Sequence, residues 1–330
     1  LYGEGGEMSD TSVKKILVAV DGSEQAFEAV RYVSMVLPPR KSSVVLFHVM
    51  TKVPDSFWDF EKEPAYHYKI IDIEAWEAQQ QRMIEDFMDQ ATRVLVNAGI
   101  PEDRISVKIA ERKVGIARDI VAESEQGYDA VVVGRRGLSE LKDLMLGNIA
   151  NKIIEKLSHT PVWVVGGRAN FEKIIVGIDS SEGAMLAVDH VASVLVGGSR
   201  RIRVTLFHAI RGINVFQKLY GEMFSVDVDK ELVEKIQKEL DDAAGMLQPA
   251  FEEARRRFLD AGLAPDDVDQ RVVTGVASRG GAIVEEAEKG DYDTIVIGRR
   301  GLSKVQEFFM GRVSNKVVQL AKEKTVWVVS

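Results

Sequence analysis

Cysteine is absent from the 330 residues. That excludes disulfides, thiolate nucleophiles, iron–sulfur clusters and cysteine-ligated zinc. Histidine is scarce, and His67, His159 and His190 have no ligand-like spacing, so the sequence sets out no metal site. Basic residues are outnumbered: 43 Lys and Arg against 51 Asp and Glu leave a net charge of −8. Such a balance argues against nucleic acid or an anionic membrane surface as partner. No apolar run approaches the ~20 residues of a membrane span. Leu1 to Ser12 is polar and glycine-rich, without the apolar centre of a secretory signal. We expect residues 1–12 to be a disordered tail, with Met8 as the initiator. Neither the lysine-bearing phosphate loop G-x-x-x-x-G-K-[ST] nor a G-x-S-x-G nucleophile elbow occurs.

What the chain does contain, it contains twice. Gly134-Arg135-Arg136-Gly137-Leu138-Ser139 follows Val131-Val132-Val133, and Gly298-Arg299-Arg300-Gly301-Leu302-Ser303 follows Ile295-Val296-Ile297. After nine intervening residues, the second glycine of each is followed by another, Gly147 or Gly311. Lys15 to Ser23 recurs as Lys173 to Ser181, and Val45 to Val49 as Thr205 to Ala209. Each half closes on Val-Trp-Val-Val, at 162–165 and 326–329. A repeat of this period means two tandem domains, placed at 13–167 and 168–330. The join, Gly166 to Asn170, is too short to let them drift apart.

Within each half the pattern alternates strand and helix. Ile16 to Val20, Val44 to Val49, Ile105 to Ile109, Val131 to Val133 and Val162 to Val165 are strand-length apolar runs, as in strands buried on both faces of a parallel sheet. Between them, Ala26 to Leu37, Ile84 to Leu95, Ile116 to Ala122 and Ile149 to Leu157 carry helical spacing, and Pro38-Pro39 stops the first. The expected fold is α/β: two tandem, doubly wound, parallel five-stranded sheets. In such sheets a ligand sits beyond the carboxyl ends of the strands, where Asp21, Gly134, Asp179 and Gly298 all fall. An uncharged Val-Trp-Val-Val strand would be a sticky edge. Either the two copies pair about a pseudo-twofold axis or each is covered by its own domain; pairing is the expectation.

These residues resemble the universal stress protein family, once in each half and over essentially everything from Val13 to Ser330. The resemblance rests on the aspartate ending the first strand, the His-Val or His-Ala after the second, and the G-x2-G-x9-G loop. It implies an adenine nucleotide alpha-hydrolase-like fold, paired as an intramolecular pseudo-dimer, a homodimer of the whole chain being a further option. It also implies a cytoplasmic stress-response protein that binds ATP, ADP or AMP, with Mg²⁺ only beside a polyphosphate, and acts on an unknown protein partner. The first site would comprise Asp21, Val49, Gly134, Gly137, Gly147 and Asn148, flanked by Val20, Val133 and Ile149. The second would comprise Asp179, Ala209, Gly298, Gly301, Gly311 and Arg312, flanked by Ile178, Ile297 and Val313. Both halves depart from the family at one position, where Asn148 and Arg312 replace serine or threonine.

Other readings compete. Asp21 either accepts from an adenine amino group or closes an Asx turn or caps a helix. The glycines admit a phosphate or merely permit positive φ. Asn148 is either a donor to phosphate or an N-cap. Arg312, at the positive end of a helix, pairs with an anion or reaches into solvent. The pairs Arg135-Arg136 and Arg299-Arg300 either add to that field or lie in a solvated loop. His48 and His208 occupy equivalent strand positions and read as packed, hydrogen-bonded histidines. The aromatics Phe57, Trp58, Phe60, Tyr66, Tyr68, Trp76, Phe216, Tyr220 and Phe224 pack locally, lid the adenine pocket or meet a partner. Three functions follow: nucleotide sensing or sequestration without useful turnover, an enzyme that is either a slow ATPase or adenylate-forming, or a scaffold that has lost its nucleotide.

Overall fold

The computed structural model of the chain describes residues 13–51, 67–137, 146–198, 200–212, 238, 242–301 and 310–330, without the side chains of 67–74. Residues 1–12, and all the aromatics singled out above except Tyr68 and Trp76, lie outside that set, as does the side chain of Tyr68.

The first half runs β1 (Lys14–Ala19), α1 (Glu24–Val36), β2 (Ser42–Met50), α2 (His67–Asn97), β3 (Ile105–Glu111), α3 (Ile116–Ser124), β4 (Ala130–Gly134), α4 (Asn148–Lys156), β5 (Val162–Val165). The second runs β6 (Lys173–Gly177), α5 (Glu182–Leu195), β7 (Arg203–Arg211), α6 (Gln248–Asp260), β8 (Val268–Val276), α7 (Arg279–Lys289), β9 (Thr294–Gly298), α8 (Arg312–Leu320), β10 (Thr325–Val329). The strand order is β3-β2-β1-β4-β5-β10-β9-β6-β7-β8. All neighbours are parallel except β5 and β10, which are antiparallel. The two five-stranded sheets therefore join edge to edge, and the expected pairing of the C-terminal strands holds.

Strand limits differ from the apolar runs for a local reason. β1 begins at Lys14, two residues before the apolar run, because Asp129 accepts from Lys15 N (2.8 Å) and Lys14 Nζ (3.2 Å). Asp293 does the same for the second half, accepting from Glu172 N (2.8 Å) and Lys173 N (2.9 Å). Each aspartate, one residue before the fourth strand of its half, fixes the register of the first.

At the junction Trp327 pairs with Trp163, and their rings stack at 4.0 Å and 3°. Both are fully buried. Tyr32 of α1 and His190 of α5 hold equivalent places beside them. Tyr32 shares a hydrogen bond with Thr294 Oγ1 (2.7 Å), and Trp163 Nε1 donates to His190 Nε2 (3.0 Å). Burial and the charge of Lys14 lower the His190 pKa to about 4, so the ring stays neutral and accepts. The linker is also held: Ala169 N donates to the Glu28 carboxylate (2.7 Å), and Gly167 adopts φ +62°, where a Cβ would sit 2.4 Å from Glu323 O. On either side of the sheet one continuous apolar layer runs through both halves, under α1, α2, α5 and α6 on one face and α3, α4, α7 and α8 on the other.

Candidate functional site

The chain reverses its winding between β1 and β4, and again between β6 and β9, so the ends of those strands open a crevice in each half. Asp21 lies just past β1. Its Oδ1 accepts from Ser23 N (3.0 Å), an Asx turn, and Ser23 Oγ then caps α1 by accepting from Ala26 N (3.1 Å). Asp179 and Ser181 repeat this turn (3.0 Å), and Ser181 Oγ also donates to Asp179. Of the readings offered for the aspartate, the turn is realised and the cap is not, because the serine two residues on has the N-cap backbone.

The glycines have a steric reason other than φ. None of Gly134, Gly137, Gly298 or Gly301 has positive φ, and Gly147 and Gly311 lie at −67° and −62°. The positive-φ reading is thus overturned. A Cβ at Gly137 would stand 2.5 Å from Asp21 Oδ2, and one at Gly301 would stand 2.8 Å from Asp179 Oδ2. A Cβ at Gly134 would meet the Gln25 carbonyl at 3.2 Å; at Gly298 it would meet Gly183 O at 2.4 Å. The loop therefore lies directly on the aspartate and on the first turn of α1 or α5. Gly147 N closes it onto Arg135 O (2.8 Å), as Gly311 N does onto Arg299 O (2.9 Å).

Gly147, not Asn148, is the N-cap of α4, and it makes no side-chain capping bond; Gly311 is its equal before α8. This corrects the capping role considered for Asn148, which is the first helical residue. No side chain caps either helix, so the first-turn N–H groups have no capping partner among the described residues. Arg312 opens α8 and is exposed.

A cavity of about 260 Å³ occupies the first crevice and one of about 320 Å³ the second. Val20, Asp21, Val49, Val133, Gly134, Gly137, Gly147 and Ile149 all line the first; Asn148 does not. Ile178, Asp179, Ala209, Ile297, Gly298, Gly301, Gly311, Arg312 and Val313 all line the second. His48 Nδ1 is 2.8 Å from Val20 O, and His208 Nδ1 contacts Ile178 O, so each ring ties the second strand to the end of the first. Burial lowers both pKa values, which leaves both rings neutral.

The arginine pairs need correction. Arg135 and Arg299 are not solvated: both are 1% exposed and their side chains cross to the other half, although Arg135 also lines the first cavity. Arg135 Nη1 donates to Val318 O in α8 (2.7 Å). Arg299 donates to Ile154 O (2.5 Å), Leu157 O (2.8 Å) and Glu155 O (3.0 Å) at the end of α4. Each guanidinium satisfies carbonyls at the negative end of the opposite helix. Burial, then Arg136, lowers the Arg135 pKa to about 10, still cationic at neutral pH.

Spacing alone did not reveal several lining residues. Met50, Thr51, Trp76, Gln80 and Ile116 join the first cavity; Arg211, Arg279 and Ser314 join the second. Trp76 supports the lid reading for one aromatic. Arg211 was discoverable as the second residue after Ala209. Arg279 was not, since only the packing of α7 on the sheet brings it there.

A family model described as the universal stress protein family matches residues 12–166 and again 170–330. A universal stress protein of Mycolicibacterium smegmatis is 29% identical over 180 residues, 53% of this chain and 57% of that protein. The chain thus spans little more than half the length of that relative. One from Methanocaldococcus jannaschii is 27% identical over 171 residues, 46% of this chain and 94% of its own length. The crystal structure of a universal stress protein from Archaeoglobus fulgidus aligns over 98% of this chain and 99% of its own, with 18% identity and a TM-score of 0.56, a likeness of fold.

Proposed function

Since the chain belongs to the universal stress protein family over both its halves, we propose that it binds adenine nucleotide, one molecule in each crevice, as a cytoplasmic stress-response protein. The observation that carries this is the doubled convergence of an aspartate, a glycine loop and an uncapped helix N-terminus on one cavity. The purine would lie against the backbone beyond Val49 or Ala209, with its amino group towards Asp21 or Asp179. The phosphates would meet the amides of Gly137 and Gly147, or of Gly301 and Gly311, and the first turns of α4 and α8. The donor set suits such a ligand: a carboxylate for the purine amino group, and backbone amides at an uncapped helix start for phosphate. Mg²⁺ would accompany a polyphosphate only.

The nucleotide is bound and sensed, not rapidly consumed. Among the described residues, the one carboxylate lining each cavity is engaged in an Asx turn, and both lining histidines are tied to a backbone carbonyl, so neither is set up as a general base. Titration calorimetry with ATP, ADP and AMP, alongside a phosphate-release assay, tests this. We expect binding without sustained release. Absence of binding would turn the assignment to an interaction module, and steady release would turn it to a slow ATPase.

A further inference from the structure

The two cavities share an aspartate, a histidine and the glycine loop, but their walls differ in charge. Arg211 stands at the end of β7 where Thr51 follows β2, and Arg279 opens α7 where Ile116 opens α3. Arg312 opens α8 where Asn148 opens α4. Arg136 and Arg300 are common to both. Among the described residues, Arg211, Arg279 and Arg312 line the second cavity at positions that hold Thr51, Ile116 and Asn148 in the first half, while Arg135 lines the first cavity alone.

Among the described residues no carboxylate forms an ion pair with Arg211, Arg279, Arg300 or Arg312, whereas Arg136 of the first cavity lies 3.9 Å from Glu323. Two of these arginines, Arg279 and Arg312, sit on the first residue of a helix, where the helix dipole disfavours a cation. An anion held between them would offset that repulsion. Arg279 lines the cavity and adds to burial in lowering the pKa of His208; an aspartate opposes the shift at both histidines, Asp179 at His208 and Asp21 at His48, and no cation acts on His48. The first cavity has Trp76 and Gln80 of α2, which carry no charge.

We propose that the two sites differ in ligand class: the second prefers a ligand bearing a chain of phosphates, with Arg211 and Arg279 setting that preference, and the first prefers a nucleotide of low charge. This rests on the nucleotide reading above and names the ligand class of each site. Arginine suits the role because its planar fork contacts phosphate oxygens in pairs and stays charged at any physiological pH.

The test is calorimetry on the full chain with AMP, ATP and inorganic tripolyphosphate, using the wild type and the Arg211→Gln/Arg279→Gln double variant. For the wild type we expect two classes of ATP site, the tighter of which weakens as salt rises. The double variant should lose about 10-fold or more in ATP affinity at that site, while AMP changes by less than about 3-fold. A Thr51→Arg/Ile116→Arg variant, which adds the same groups to the first cavity, should gain ATP affinity there. Equal losses for AMP and ATP, or no loss for either, would overturn the inference while leaving nucleotide binding intact. Tripolyphosphate binding without any nucleotide binding would keep the phosphate-chain preference and remove the adenine assignment. If none of the three ligands binds the wild type, both fall.

Discussion

Replacing Arg299 by methionine removes three donors from the C-terminal turn of α4 while filling most of the same space. The Arg299 guanidinium donates to the carbonyls of Ile154, Glu155 and Leu157 and is 1% exposed. Hydrogen bonds from a charged donor contribute about 1.5–3 kcal/mol each, so three amount to roughly 5–9 kcal/mol before any opposing effect. Keeping a guanidinium out of water opposes this by several kcal/mol, and methionine relieves that cost. The carbonyls, however, remain buried and lose their partners. The net expectation is a loss of about 2–5 kcal/mol, the range seen when one member of a buried ionic contact is deleted. Urea unfolding followed by tryptophan fluorescence measures it, because the stacked Trp163 and Trp327 lie in the junction that Arg299 helps to join. Arg299→Lys should restore only part of the loss, since an ammonium cannot span three carbonyls as a planar fork does. A shift of less than about 1 kcal/mol for Arg299→Met would refute the claim that this contact helps to fasten the halves.

Three other outcomes are expected. Gly298→Ala should cost about 1–3 kcal/mol and Gly134→Ala clearly less, because the added Cβ meets backbone at 2.4 Å in the former and 3.2 Å in the latter; equal melting shifts would contradict this. Gly137→Ala should weaken nucleotide binding at the first site with little change in stability, as its Cβ displaces the Asp21 carboxylate from 2.5 Å; calorimetry against a thermal melt separates the two effects. His190 makes stability acid-sensitive in a stated direction. Its folded pKa is about 4 and its ordinary value 6.5, so between those pH values the unfolded chain holds a proton that the folded one does not. Stability attributable to it is full above pH 6.5 and declines as pH falls to 4, by roughly 3 kcal/mol in all. Urea unfolding at pH 7 and pH 4.5 should show a smaller drop for His190→Gln than for the wild type; identical drops would remove the assignment.

The sequence by itself determined the duplication, the five strands of each half and the residues that end them. Those features are local: an apolar run buried on both faces must read as one, and the break that ends it shows in the residues themselves. It also placed the cavity, because Asp21 and Gly134, like Asp179 and Gly298, end strands that a doubly wound sheet sets side by side. Tertiary structure alone decided where the long side chains go. Arg135 and Arg136 are adjacent and alike in sequence, yet one crosses the pseudo-twofold axis to a helix end and the other stays at the cavity. Nothing in their spacing records that choice, since it depends on α8 lying across the junction. The same holds for Arg211 and Arg279, which are 68 positions apart and meet only because β7 and α7 converge on one crevice. An arginine side chain is long enough that its partner is set by what lies across the fold, not by its neighbours in the chain.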